Sequence, residues 1–185
     1  MRWVPFLILV YAVLLVQTTL GKLMTFQRTA WGTVGPDLAA IVAVFLALRL
    51  REGVDLALAT WTLGLAVDLT TVGPAVGPMA LAYVAAGAAI WKLREAVFRE
   101  RPGAQMILAL VFCVLAHGLW VTIESIMLPA SERSWAHYGR LLKQAFALGL
   151  YTAALMPLGH WALRKVERFL IAPLSGRSRG ARSAR

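Results

Sequence analysis

Residues 34–78 decide how this chain folds, and they read VGPDLAAIVAVFLALRLREGVDLALATWTLGLAVDLTTVGPAVGP. The Pro36-Asp37 pair suits a helix start, because proline is favoured at a first helical position and an acidic residue in a first turn. Two apolar runs follow, separated by the charged turn at residues 49–53, and the second run ends near Asp68. The pattern predicts a membrane hairpin of two short helices, with Asp37 and Asp68 at its far ends on one side.

The composition is that of a polytopic membrane protein. Of the 185 residues 59% are hydrophobic and 15% are charged, and the mean hydropathy is +0.69; soluble domains are about 45–50% apolar and about 25% charged. Six apolar runs are candidate spans, at residues 3–20, 38–48, 54–69, 76–91, 106–128 and 146–163. The second run is too short alone and spans only as residues 36–50, with its ends in thinned or protein-shielded membrane. The predicted fold is an all-α bundle of six transmembrane helices.

Basic residues are distributed unequally between the two sides of this six-helix arrangement. Of the 19 Lys and Arg residues, 14 fall at Arg2, at residues 49–51, at residues 92–101 and from Arg164 onward, and 5 fall on the other side. The positive-inside rule therefore predicts that both termini are cytoplasmic. The same asymmetry accounts for most of the net charge of +10, so the charge does not require nucleic acid as a partner.

Residues 1–171 are predicted to form the transmembrane domain, and residues 172–185 a basic, disordered cytoplasmic tail. From His160 the pattern becomes amphipathic, which suits a helix that leaves the membrane along its surface. Pro157 predicts a kink in the last helix. External loops are expected at residues 21–35, which include Trp31, and at residues 129–139, which include Trp135, His137 and Tyr138.

Small residues recur at helical spacing in two of the runs, as Ala39, Ala43 and Ala47 and as Thr60, Gly64 and Asp68. Such stripes let helix backbones approach closely, and packing is the preferred explanation for them. Asp68 is harder to explain, because it lies near the C-terminal end of its helix, where the helix dipole disfavours an anion. The predicted partners for its carboxylate are the Gln17 amide, the Thr70 and Thr71 hydroxyls, the first-turn amides of the fourth helix, or a partner's helix.

Polar side chains near the outer ends of the helices are predicted to converge: Gln17, Asp37, Asp68 and Glu124, with His117 deeper. His117, Trp120 and Glu124 share one face of the fifth helix, since they lie at i, i+3 and i+7. An acid within the membrane is a functional candidate, because its burial without a partner is costly. The cluster is therefore interpreted as a ligand pocket, a proton relay or a polar lock on a partner helix. The alternative is that each acid caps a helix or is solvated outside the hydrocarbon, and that His117 is a hydrogen-bonded packing residue.

Nothing in the sequence indicates catalysis. It has no Gly-x-Ser-x-Gly, His-Glu-x-x-His or phosphate-loop motif. The single cysteine, Cys113, excludes an internal disulfide and a metal site of the multi-cysteine type. We therefore expect a protein that is not an enzyme and that uses no cofactor and no metal.

Residues 36–87 resemble the rod shape-determining protein MreD family. The resemblance rests on Pro36-Asp37-Leu38, the apolar helix and charged turn after it, the Gly64-Leu65-x-x-Asp68-Leu69 pattern, and a fourth helix rich in Ala and Gly. It implies a non-catalytic bacterial inner-membrane subunit of the elongation machinery that synthesises peptidoglycan and maintains rod shape. Such a subunit binds MreC and lies close to the RodA glycosyltransferase, its class B penicillin-binding partner and MreB. The candidate partner-binding or structural residues are Pro36, Asp37, Gly64, Asp68, His117 and Glu124.

The fold of this family is similar to that of the substrate-binding subunits of vitamin transporters, which supplies an alternative function. Such subunits often carry an Ala-x-x-x-Ala patch on their first helix. Here the first run has only Ala12 and the alanine stripe is on the second, which counts against transport. A third possibility, an enzyme that acts on lipid-linked wall precursors, lacks a recognisable catalytic set.

Overall fold

The computed structural model describes residues 1–24, 26–29, 32–71, 76–94, 101–127 and 134–170, with side chains placed outside residues 20–33. These residues form six helices and one antiparallel pair of strands: α1 (Trp3–Met24), β1 (Phe26–Thr29), β2 (Gly32–Val34), α2 (Leu38–Arg49), α3 (Gly53–Thr70), α4 (Pro78–Leu93), α5 (Pro102–Met127) and α6 (Trp135–Leu170). The predicted tail at residues 172–185 and Trp31 lie outside the described residues.

Helix α2 is the centre of the bundle. All of its residues from Ala39 to Leu48 are buried, and α1, α3, α4, α5 and α6 all contact it. A helix that is apolar on every face is stable only when it is surrounded on every face, which is the position that the bundle gives α2. Its 12 residues span about 18 Å, well below the roughly 30 Å of a hydrocarbon core. The alanine stripe is therefore part of a fully buried helix rather than one packing face.

Helices α3 and α4 approach each other very closely, along the stripe predicted from small residues. A Cβ on Gly64 would lie 2.6 Å from the Cα of Ala80 and 2.7 Å from the carbonyl oxygen of Met79, so only glycine fits there. Further along, a Cβ on Gly87 would lie 2.8 Å from Cγ2 of Thr60. The packing explanation for this stripe is confirmed, and the contact surface is α4.

Helix α6 begins earlier in the chain than the sequence predicted, whereas its end agrees with the prediction. It begins at Trp135, so the residues expected in an external loop up to Gly139 are helical from Trp135 onward. Its 36 residues extend about 54 Å. The expectation of a loop was wrong because the first turns carry Arg140 and Lys143 among apolar residues, and a search for uniformly apolar runs begins only after them. The helix is continuous through Pro157, and its predicted amphipathic end consists of its last turns, in which Leu170 is buried.

The predicted external loop at residues 21–35 also contains regular structure. Helix α1 continues to Met24, and β1 pairs with β2, with Phe26 opposite Val34. Strands of four and three residues are too short for an alternating pattern to be distinguished in the sequence.

The basic segments gather at one end of the bundle. The amide of Arg2 donates to the Leu170 carbonyl at 3.0 Å, so the chain start meets the end of α6. Nε of Arg49 lies 3.6 Å from the carboxylate of Glu167. The Arg94 guanidinium, after α4, donates to the carbonyls at the end of α2. We call this the basic end. The opposite end, where α2 and α4 begin and α3 finishes, holds Asp37 and Asp68, and we call it the acidic end.

Three of the described helices, α3, α5 and α6, are long and apolar enough to cross a membrane, whereas α1, α2 and α4 are shorter apolar helices. Large apolar side chains are exposed on the outside of the bundle, as expected for a surface in contact with lipid. Those more than half exposed include Val4, Ile8, Tyr11, Trp61, Leu81, Ile107, Leu158 and Trp161.

Candidate functional site: a buried carboxylate network beside a cavity

Asp37 caps the central helix and is itself almost completely buried, with 3% of its surface exposed. Its Oδ1 accepts from the Ala40 amide at 3.0 Å, the contact that defines an N-cap. Its Oδ2 accepts from the Tyr83 hydroxyl at 2.6 Å and lies 3.0 Å from Nε2 of His117. The helix start predicted from the sequence is confirmed, although Pro36 precedes the cap and does not occupy the first helical position.

The backbone around Asp37 is tied to two further helices. The Asp37 amide donates to the Thr152 hydroxyl of α6 at 3.0 Å, and the Ala39 amide donates to Oε1 of Gln17 in α1 at 3.3 Å. Side chains from α1, α4, α5 and α6 therefore all bond to the first residues of α2. A carboxylate buried with this many donors stabilises one arrangement of the helices, because removing any donor leaves a buried polar atom unpaired.

Asp68 caps helix α4 from the end of α3. Its Oδ2 accepts from the amides of Gly77 at 2.9 Å and Ala80 at 3.2 Å, and its Oδ1 accepts from the Met79 amide at 3.3 Å. The unfavourable dipole of its own helix is thereby offset by the favourable N-terminal dipole of the next one. Gly77 has φ +119, a left-handed conformation that glycine adopts without strain.

Of the partners predicted for Asp68, the first-turn amides of α4 are confirmed. The hydroxyls of Thr70 and Thr71 instead donate to the Val67 carbonyl of their own helix, at 2.9 Å and 3.0 Å. The Gln17 side chain contacts Ala39, so it serves the α2 cap and not Asp68.

At the end of the bundle that holds Asp37 and Asp68, the helices surround a cavity of about 430 Å³. The structure brings together all five residues of the predicted polar cluster around it. The lining consists of Gln17, Pro36, Asp37, Val67, Asp68, Thr71, Met79, His117, Trp120, Val121, Glu124, Leu141, Gln144, Ala145 and Leu148. Whether these residues bind a partner stays a prediction.

Glu124 differs from the two aspartates. It is half-buried on the cavity wall. Its neighbours His117 and Trp120 line the cavity from the same face of α5, as the i, i+3, i+7 spacing predicted. In the part of the chain that the structure describes, its carboxylate makes neither a hydrogen bond nor an ion pair. Glu124 is thus the one acid of the cavity whose charge has no local partner among the described residues.

Sequence reasoning missed two members of the network, Tyr83 and Thr152. Both are fully buried, and they lie 46 and 115 residues from Asp37. One signal was available for Tyr83: it is the large polar-tipped residue of an Ala/Gly-rich helix, and a buried tyrosine hydroxyl usually finds a hydrogen-bond partner. Thr152 gave no comparable signal.

The other two histidines do not line the cavity, and His137 is an exposed residue in the first turn of α6. The His160 ring packs edge-on against Phe45, with 5.2 Å between ring centroids, and its Nδ1 is buried without a hydrogen-bond partner. Across the described ranges, no group of three or more His, Cys, Asp or Glu side chains is placed to hold a metal ion.

Comparison with protein-family models, with curated proteins and with solved structures gives no match for this chain.

Proposed function

We propose that this chain is a non-catalytic scaffold of the cell-elongation machinery in a bacterial inner membrane, and that it maintains rod shape by binding MreC. RodA, a class B penicillin-binding protein and MreB complete the proposed assembly. The proposal is supported by the structural role of the residues that carry the resemblance to MreD. Asp37 and Asp68 are both buried as helix caps at the same end, and Gly64 is the point of closest approach between α3 and α4.

The role of these residues favours a scaffold. Their bonds are made within the chain, and they fix the relative positions of α2, α3 and α4, so that the outer surface of the bundle keeps one shape. A rigid apolar surface is suited to binding a single transmembrane helix such as that of a bitopic partner. The proposed role in rod shape would then require the buried caps, because they keep the partner-binding surface of the bundle in one shape.

The proposed topology has six spans with both termini cytoplasmic. It is supported by the gathering of basic segments at one end of the bundle and by the apolar character of the three shorter helices. Helix α2 is short enough to need protein around its ends, and the surrounding helices supply it. In a Cys113-free background, cysteines at Thr33, Ala75 and Ser134 should react with an impermeant thiol reagent added outside. A cysteine at Ser175 should react only after permeabilisation, and its labelling in intact cells would contradict this topology.

The partner proposal is tested by affinity purification of the tagged chain from its native membranes in mild detergent. We expect MreC to co-purify with the parent chain and with Glu52→Leu, an exchange of an exposed carboxylate at the basic end that makes no cap bond. We expect less MreC with Asp68→Leu, which removes the α4 cap. Equal absence of MreC from all three samples would refute the scaffold.

The cavity favours a second candidate, the substrate-binding subunit of a vitamin-type transporter. Its volume of about 430 Å³ lies within the range of about 300–1,000 Å³ typical of small-molecule sites. The same purification separates the two functions. A co-purifying ATPase module together with a vitamin-like molecule would support the transporter and exclude the scaffold.

A further inference from the structure

The cavity at the end of the bundle opposite the basic end is lined by three carboxylates. Asp37, Asp68 and Glu124 all line it, and among the described lining residues there is no lysine or arginine. The remaining lining is mainly apolar, with a few amide, hydroxyl and imidazole groups. Walls of low polarity strengthen the field of the carboxylates inside the cavity, because the effective dielectric constant there is below that of water.

The three carboxylates are not equally available to a ligand. Asp37 is held by Tyr83 and His117, and Asp68 by three backbone amides. Glu124 makes no hydrogen bond or ion pair in the described part of the chain, so its carboxylate is free to bind a ligand. Among the described lining residues, the cavity therefore has one carboxylate without a partner and two whose charge is compensated within the chain.

Trp120 gives the cavity an aromatic wall on the same helix face as Glu124. Its ring is half-buried and packs edge-on against His117, with 6.5 Å between ring centroids. The face of an indole ring binds ammonium and guanidinium groups through cation–π attraction, and a carboxylate on the same wall supplies the opposite charge. A bare metal ion is disfavoured, since the described residues offer no set of three ligands for one.

We propose that this cavity binds an organic cation, with the carboxylate of Glu124 as counter-ion and the Trp120 ring against the cationic group. The cation is an ammonium or guanidinium, carried by a free solute or by a lipid headgroup. Volume, charge sign and aromatic wall all point to this one class of ligand. The inference is independent of the scaffold proposal, because binding is measured on the purified chain and does not involve MreC.

The test is a titration of the purified full chain in nanodiscs of phosphatidylglycerol, followed by tryptophan fluorescence and by thermal unfolding. Choline and arginine amide are the cationic probes, and 3,3-dimethyl-1-butanol is the neutral isostere of choline. We expect saturable binding and a raised unfolding temperature with the cations and neither effect with the isostere. A repeat in phosphatidylethanolamine nanodiscs identifies the source: weaker choline binding there indicates that the lipid ammonium occupies the site, and unchanged binding indicates a free solute.

Two variants locate the site, and a third serves as the control. Glu124→Gln should weaken choline binding about tenfold, because the coulombic attraction between the trimethylammonium group and the carboxylate is lost while the shape of the side chain is kept. Trp120→Leu should weaken it about fivefold, by loss of the cation–π contact. Glu52→Gln, an equivalent exchange at the basic end, should bind as the parent does.

Three results would overturn the proposal. The first is no saturable effect of either cation in either lipid, which would leave a cavity filled with water. The second is equal binding of the neutral isostere. The third is parental affinity in Glu124→Gln, and because Glu124 holds no other residue in place, this variant should remain folded and give a clear answer.

Discussion

Replacing Asp68 tests the hydrogen bonds that connect the end of α3 to the start of α4. In Asp68→Leu the amides of Gly77, Met79 and Ala80 lose their acceptor, and two of these, at Met79 and Ala80, are buried. An unsatisfied buried amide costs about 1–3 kcal/mol, and loss of an N-cap about 0.5–2 kcal/mol. With two buried amides left unpaired, we expect Asp68→Leu to lower the free energy of unfolding by about 2–6 kcal/mol.

The conservative variant Asp68→Asn should behave differently. An amide oxygen in the place of Oδ2 keeps the bonds from Gly77 and Ala80 and loses only the Met79 bond, at 3.3 Å the longest of the three. The Met79 amide is then left without its acceptor and the charge at the α4 terminus is lost, so the expected cost is about 1–3 kcal/mol, less than for Asp68→Leu.

The assay is unfolding by SDS titration in mixed micelles, followed by tryptophan fluorescence, for the parent, Asp68→Leu, Asp68→Asn and Glu52→Leu. Glu52→Leu removes an exposed carboxylate at the other end of α3, where no side-chain cap bond is formed, so it should change stability by less than about 0.5 kcal/mol. If Asp68→Leu unfolds at the same SDS fraction as the parent, the cap contributes nothing and Asp68 is a solvated boundary residue.

Two further substitutions test the α3–α4 packing and the hydrogen bonds of Asp37. Gly64→Ala should destabilise the bundle by about 1–3 kcal/mol, since its methyl group meets the α4 backbone. Its control, Gly118→Ala, adds a methyl group in open space and should stabilise the bundle by about 0.5–1 kcal/mol. Equal effects of the two in the same SDS titration would contradict the close approach of α3 and α4 at Gly64. Tyr83→Phe should lower the free energy of unfolding by about 1.5–3 kcal/mol, because it removes a hydrogen bond to the Asp37 carboxylate. Its control, Tyr11→Phe at an exposed position, should change stability by less than about 0.5 kcal/mol. If Tyr83→Phe is as stable as the parent, the buried hydrogen bond is not formed.

Local patterns predicted the parts of this structure that are local in the chain. The α3–turn–α4 unit is an example: Gly64 and Asp68 are one helical turn apart, and the amides that Asp68 accepts from lie within 12 residues of it. The spacing of small residues therefore indicated the α3–α4 contact, and the poor dipole position of Asp68 indicated that a partner had to exist. The predicted convergence of polar residues also followed from helix spacing and the alternation of helix direction.

Parts of the structure that depend on tertiary packing could not be predicted. The Tyr83 and Thr152 partners of Asp37 are set by how α4 and α6 rotate about their axes, and a stripe of small residues fixes a close contact without fixing that rotation. The start of α6 was missed because its first turns are amphipathic, and their helical state depends on packing against α5, for example through the 3.1 Å contact between the hydroxyls of Thr122 and Tyr138.

The two aspartates link the fold to the proposed role. Each is an anion at the start of a helix, each is buried at the same end, and together they border the cavity. Disturbing either one should alter both the bundle surface offered to a partner and the shape of the cavity. Glu124→Gln is expected to affect only the cavity, so comparing it with Asp68→Leu separates ligand binding from scaffold function.

The measurement that tests the proposed role most directly is the length-to-width ratio of cells depleted of this protein. With its gene under a titratable promoter in the native host, the scaffold predicts that rods shorten, widen and become round as the protein is lost, and that the parent chain restores them. Rods of unchanged width, with growth that fails only when a vitamin is withheld from the medium, would contradict the scaffold and favour the transporter subunit.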